Sequence, residues 1–559
     1  MAGGLLQLQA RGAQDQLLTG NPSFTHFRSM YKCYTEFAME HFRLYFNTKM
    51  LSYPSSGTMT LRTKVDRNAQ LLSDCYLSLT IPDIYSPVVP LGTNPVPAGW
   101  NSLTQAIPYE FQWIRNLGYN LIDSVSVLIN GQAVATHTGE WMKLYASLQF
   151  DATKRALIDE LVGNVPELYD PANAQGRLNQ YPSSITSSTA NGQASIAGRV
   201  LQIPLHFWFC ESVGKALPLI ALQYSEVEIV VELKNMYDLF TTIDVNPASP
   251  TYGQRVAPDT SNSLFQIQHF LSPPTSSATA NVVPGLTTWN LNPYIEANYI
   301  FLGDTESSHI ARTEQAFLIT QVDLKESGLQ YGSANDLELV MRNLCRRIVW
   351  VFQRDDRIND PDNYTNWVNP YRPPQTSASL YSSGTYLSPN ISQRDILIES
   401  NVILDTKDRF TTKQTEFFSE IQPYKFANGI PIPGVYFYSF QLDTSDQPSG
   451  SLNGSMVNKT ILRNTLLLPP YTNAVQTGSG IIQTCVLKST ANMANPTIVN
   501  PNAVGSNGKP LYTPDQIVSI VTKTPNTTVY QYTFNVRAYT ESYNFLRIIA
   551  GMANVVFSS

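Results

Sequence analysis

A chain of 559 residues is too long for one ordinary core: about four domains at ~150 residues each, or two at the ~200–250 residues that large β units reach. With 43% hydrophobic and only 14% charged residues it has ample core material, which excludes extensive disorder. A net charge of −6 without any dense Lys/Arg run excludes a chain whose main work is neutralising phosphates; the nearest candidate, Arg346 and Arg347 with Arg354, reads as solvated charge flanking a strand.

Five cysteines (Cys33, Cys75, Cys210, Cys345, Cys485) are scattered, odd in number and never in a Cys-x-x-Cys pair. That pattern suggests reduced thiols and neither a disulfide framework nor a zinc site. The first residues lack a charged region followed by a long apolar core, and Ala2 stands where myristoylation needs glycine. With no apolar run of about 18 residues to span a bilayer, the expectation is a protein of the reducing cytosol.

In chain order, the first clear element is a hairpin. Asn130-Gly131 follows the alternating segment 125–129, and a type I′ turn demands positive φ at both of its central residues. Residues 140–147 carry Trp141, Leu144 and Tyr145 at helical spacing, and 308–317 carry Ile310, Ala311 and Phe317; both are expected to be short helices decorating loops. In 227–233, Val227, Ile229, Val231 and Leu233 fall on one face and Glu228 and Glu232 on the other, the two-residue period of a half-buried strand. Residues 348–352 are apolar throughout, so protein should cover both faces. Tyr530, Tyr532, Phe534, Val536 and Ala538 alternate with polar residues in a second half-buried strand. Turn-rich stretches at about 170–197, 245–290, 360–392 and 470–512 separate the strands into two zones, with the best boundary near 235–290.

The search for chemistry returns little. Gly505-Ser506-Asn507-Gly508-Lys509-Pro510 puts proline where a phosphate loop needs a hydroxyl. The six histidines (His26, His41, His137, His206, His269, His309) are isolated. His206 and Cys210 would share a strand face, but two ligands are too few for stable zinc. The carboxylate pairs Asp355 with Asp356 and Glu226 with Glu228 read as solvated turn and strand faces. Five Asn-x-Ser/Thr sequons, at Asn363, Asn390, Asn453, Asn458 and Asn526, are what an Asn- and Ser-rich chain yields by chance. No catalytic, cofactor-binding or metal-ligating residue is assigned.

Collinear motifs carry a sharper signal. The opening from Met1 to Leu8, then Gly12-Ala13-Gln14-Asp15 and Leu18 to Pro22, resembles the start of the major capsid proteins of nucleocytoplasmic large DNA viruses. Residues 113–118, 130–132 and 139–141 are similar to a signature of that family's first jelly roll, and 201–209, 216–224 and 226–229 to its last strands. Residues 299–303, 348–353, 422–424, 438–440, 447–451, 544–548 and 551–553 continue the match through the second half. The resemblance implies an all-β protein of two consecutive eight-stranded antiparallel jelly rolls with short helices and long loops. It implies residues 1–24 at the capsomer base, 25–236 as the first roll, 237–292 as an expanded connection and 293–559 as the second roll.

Its expected role is structural and non-enzymatic: a homotrimeric, pseudo-hexameric capsomer tiling an icosahedral shell, made in the host cytoplasm and resident in the virion. The implied partners are neighbouring trimers and minor capsid, penton and cement proteins. A membrane beneath the shell and host-surface glycans complete the set, with no direct nucleic acid. A minor capsid or vertex protein of the same fold, and a jelly-roll glycan-binding protein, are the alternatives.

Overall fold

The computed structural model describes residues 3–47, 57–86, 110–178, 180–184, 193–243, 255–258, 267–271, 289–330, 335–355, 362, 364–368, 395–444, 447–467, 483–487, 516–521 and 533–557. Eight strands carry the two main sheets of the first half: β1 Phe37–Tyr45, β2 Met59–Lys64, β3 Leu71–Ile81, β4 Ile122–Ile129, β5 Gln132–Thr138, β6 Arg199–Pro204, β7 Val227–Leu233 and β8 Tyr294–Leu302. They pair antiparallel in two sheets of order β1-β8-β3-β6 and β2-β7-β4-β5. All eight strands enter the two sheets in the order of a jelly roll, with β8 between β1 and β3 and β7 between β2 and β4.

The period-two residues set which face is core. In β7, Val227, Ile229, Val231 and Leu233 are buried while Glu232 is exposed. They meet Leu77, Leu79, Ile295 and Ala297 from the opposite sheet in one apolar core. The β4–β5 hairpin closes at Asn130 (φ 53°) and Gly131 (φ 79°), the two positive-φ positions that the Asn-Gly pair predicts.

The second half repeats the order with β9 Gln315–Gln330, β10 Asn335–Leu339, β11 Leu344–Arg354, β12 Leu397–Leu404, β13 Lys407–Asp408, β14 Val435–Ser439, β15 Thr460–Leu466 and β16 Phe534–Ile549. Its sheets run β9-β16-β11-β14 and β10-β15-β12-β13, with Lys413–Gln414 continuing the β13 edge. Ile348, Trp350, Phe352 and Val536 face Leu337, Val402 and Leu462 across a separate core. Phe534, Val536 and Ala538 are buried as the alternation predicts; Tyr530 and Tyr532 lie outside the described residues, as do most of the four turn-rich stretches and the 505–510 fragment.

Three expectations need correction. The boundary before residue 293 is misplaced: β8 pairs with β1 and β3, so strands of the second half begin only at β9. The helix expected over 308–317 is Asp304–Arg312, and Phe317 already belongs to β9, where it pairs with Leu546. The helix expected over 140–147 is present as α3, Gly139–Gln149, following the short N-terminal helices α1, Gly3–Gln9, and α2, Ala13–Thr19. It is no loop decoration, because nine of its residues are buried.

Candidate assembly surfaces and the junction between the rolls

Thr138, the last residue of β5, caps α3 by accepting from the Trp141 amide at 3.1 Å. The start of α3 is closed to any side chain: a Cβ on Gly139 would lie 1.9 Å from the Tyr119 carbonyl oxygen. So fixed, α3 sends Trp141, Leu144, Tyr145 and Leu148 against Val349, Val351, Val435, Phe437 and Tyr539 of the second half. This explains the uninterrupted apolar run at 348–352. Its even-numbered residues fill the second core, and its odd-numbered ones meet α3.

The polar groups at this junction are paired across it. The Glu140 carboxylate accepts from Arg537 Nη1 at 3.0 Å, Tyr539 OH at 2.6 Å and Trp367 Nε1 at 2.8 Å. Glu140, with burial opposing it, holds the Arg537 guanidinium still more firmly in its charged form. Deeper in, Arg347 Nε donates to Glu541, and Arg346 Nη1 lies 3.6 Å from the same carboxylate. Burial alone would raise Glu541, but Arg347 and Arg346 outweigh it and hold the carboxyl below the ordinary range. The expectation of solvated charge at Arg346, Arg347 and Arg354 is therefore wrong, since they are 7%, 2% and 5% exposed. The partner of the first two, Glu541, lies on β16, almost 200 residues away, and sequence proximity does not reveal it.

The residues considered as metal ligands or acid–base groups do not converge. His206 and Cys210 sit in a turn and not on a strand: Trp208–Cys210 forms a 3₁₀ turn, and His206 packs among Tyr119, Tyr145 and Phe150 with Nε2 3.1 Å from the Tyr119 hydroxyl. Glu226 pairs with Lys64 and Glu228 with Arg62, so each faces the neighbouring strand β2. Asp355 accepts from the Thr533 amide and hydroxyl, both at 2.9 Å, while Asp356 lies outside the described residues. His26, His41 and His309 are exposed, and the His269 side chain is not among those described. Among the described residues, no group of three or more His, Cys, Asp or Glu is placed to hold a metal ion. Asn453 and Asn458 are the exposed sequon residues described, and the other three lie outside.

His137 lies in the first core against Phe207, with neither ring nitrogen hydrogen-bonded. Burial pushes its imidazole down to about 4, with only partial opposition from Glu541, and burial likewise pushes His206 down to about 3. An unfolded chain takes up these protons near pH 6.5. The stability held by neutral His137 is therefore complete above pH 6.5 and drains as pH falls from 6.5 toward 4, at about 1.4 kcal/mol per unit. Melting temperature measured across this window should fall with acidification, and His137→Leu, which orphans no partner, should reduce the slope by about half. An unchanged slope in the variant would assign the loss elsewhere.

The outer surface carries apolar groups that none of the described residues covers. Every described residue from 3 to 36 is exposed. This arm displays Leu5, Leu6 and Leu8 on α1, Leu17 and Leu18 on α2, and Phe27, which is 100% exposed. Among the described residues the adjoining β1 is an edge strand, paired with β8 alone, and it leaves Phe37, Met39 and Tyr45 exposed. An unpaired strand edge bearing apolar side chains is a template for another chain, and natural monomers avoid it.

Comparison with known proteins agrees with this arrangement. Residues 25–272 match the family described as "Major capsid protein N-terminus", and residues 306–495 match "Large eukaryotic DNA virus major capsid protein". The chain is 26% identical to the major capsid protein of Phaeocystis pouchetii virus over 540 residues, covering 83% of this chain and 93% of that one. It is 25% identical to the major capsid protein of Paramecium bursaria Chlorella virus 1, covering 100% of both. Among solved structures, the PBCV-1 virus capsid superposes with a TM-score of 0.59 at 20% identity, covering 96% of this chain and 100% of that one. The Faustovirus major capsid protein gives 0.58 at 13% identity, covering 98% and 96%. The shared fold is the double jelly roll. With two consecutive family matches in chain order and relatives matched over most of their length, the chain belongs to the major capsid proteins of large eukaryotic DNA viruses, structural components of the capsid and not enzymes.

Proposed function

We propose that three copies of this chain join into a pseudo-hexameric capsomer, whose six rolls tile an icosahedral shell, and that the N-terminal arm reaches from the capsomer base to neighbouring subunits or minor capsid proteins. The observation that carries this reading is the apolar arm, residues 3–36, which the described residues leave exposed and which runs into a strand whose outer edge has no partner among them. A permanent assembly of this kind buries on the order of 2,000–5,000 Å² per interface with an apolar core. Trimer-to-trimer contacts are smaller and more polar, so that misplaced units can leave during growth.

In this reading residues 1–24 lie at the base of the capsomer, toward the shell interior. The first roll takes 25–236 together with β8, and the second takes the strands from β9 onward. Minor capsid, penton and cement proteins then contact the base and edges, a membrane lies beneath the shell and host-surface glycans meet its outside. Assembly proceeds in the host cytoplasm, where the scattered thiols stay reduced. Deleting residues 2–20 should leave the trimer mass unchanged in light scattering while abolishing closed shells in electron micrographs. A stable monomer at micromolar concentration would overturn the trimer, and an unchanged particle yield would overturn the role of the arm.

A further inference from the structure

Two of the five cysteines come together in the fold. Cys75 lies on β3, whose next residue, Tyr76, pairs with Pro204 at the end of β6. The Leu205 amide then donates to the Cys75 carbonyl at 3.1 Å, so the chain leaving β6 still runs beside β3. The 3₁₀ turn Trp208–Cys210 follows, and both cysteines line one cavity of about 330 Å³, also walled by Tyr76, Phe150, Lys154 and His206. At this shared cavity Cys75 is 2% exposed and Cys210 partly exposed.

We propose that Cys75 and Cys210 are a disulfide site, open in the reduced protein and closed by a peroxide. The cavity admits a molecule little larger than water, whose share of liquid volume is about 30 Å³. The exposed partner reacts first. The peroxide O–O bond breaks as an S–O bond forms on Cys210, giving a sulfenic acid and one water. The Cys75 sulfur then attacks the Cys210 sulfur, the S–S bond forms, the S–O bond breaks, and the departing hydroxide takes the Cys75 proton as a second water. Two thiols are oxidised by two electrons while one peroxide is reduced to two waters. The order follows from environment: the neighbouring Cys210 and burial both push the Cys75 thiol well above its usual range, so it stays protonated and waits for an activated neighbour.

The bond would tie β3 to the turn after β6 and close a long loop of the first roll, constraining its unfolded state. Particles that leave a reducing cytosol for an oxidising medium would be locked in this way without any change of shape. The test is to treat the full-length protein with hydrogen peroxide, alkylate it under denaturing, non-reducing conditions and map its peptides. The expected result is a linked pair containing Cys75 and Cys210, reversed by dithiothreitol, with a rise in Tm of about 5 °C that C210S abolishes. Cys345, buried at 1% exposure, serves as the internal control that stays alkylatable. Recovery of Cys210 as sulfinic or sulfonic acid with Cys75 still free would overturn the proposal, and so would both thiols surviving treatment.

Discussion

Glu541→Gln should lower stability by about 3–5 kcal/mol, because it leaves two guanidinium groups buried with no counter-charge. The carboxylate is 1% exposed, and Arg347 and Arg346 are 2% and 7% exposed, so water cannot replace the lost charge. The amide keeps the size and one acceptor of the original side chain, which separates the electrostatic effect from a packing defect. The same substitution at Glu296, which faces Arg43 at 3.7 Å on the solvent side of β8, should cost less than about 1 kcal/mol, because exposed pairs are weak and screened. Chemical denaturation of both variants, with the m-value compared to the parent, measures the difference. A loss at Glu541 no larger than at Glu296 would mean that the triad is not what anchors β11 to β16.

The pH dependence of that variant carries a sign that can be checked independently. Because the folded-state carboxyl is held below its ordinary range, its contribution is complete above the unfolded value and is lost as pH falls through the folded one. The parent and Glu541→Gln should therefore converge in stability below pH ~4. The histidine effect begins higher, near pH 6.5, so the two windows are separable in one titration.

Local signals were legible in the sequence where local geometry decides the outcome. Asn130-Gly131 forms its hairpin because only residues tolerant of positive φ fit both turn positions, and no distant contact is needed. The alternation in 227–233 maps to one buried face because a strand has only two faces. Where the outcome depends on a partner far along the chain, the sequence misleads. Arg346 and Arg347 look solvated until Glu541 is placed beside them, and β8 looks like the start of the second roll until its pairing with β1 and β3 is seen.

Residues 140–147 carry a further clue in their sequence. Met142 and Ala146 are as apolar as Trp141, Leu144 and Tyr145, and a helix apolar on several faces belongs in an interior. The assembly surface was legible only as collinear family motifs. An apolar arm without a fold of its own gives no periodic signal, and its exposure appears only when the two rolls are built and leave it uncovered.

Trp141→Ala should uncouple the rolls. The indole is 1% exposed, its centroid lies 5.3 Å from that of Tyr539, and it stands on the helix that fills the space between the two halves. Truncating a buried Trp costs about 3–5 kcal/mol through lost transfer energy and the cavity left behind. In a unit of ~150–250 residues that corresponds to a fall in Tm on the order of 10 °C. The form of the transition is as diagnostic as its size. Trp289, equally buried at 1% exposure, belongs to the core of the first roll, so Trp289→Ala should destabilise that roll alone. Trp141→Ala should weaken the contact by which each roll supports the other. Calorimetry should then resolve two transitions where the parent shows more nearly one, since a coupling lost between units ends their joint unfolding. A Trp141→Ala profile that shifts by the same amount as Trp289→Ala without splitting would place α3 within the first roll's own core and deny it the role of wedge.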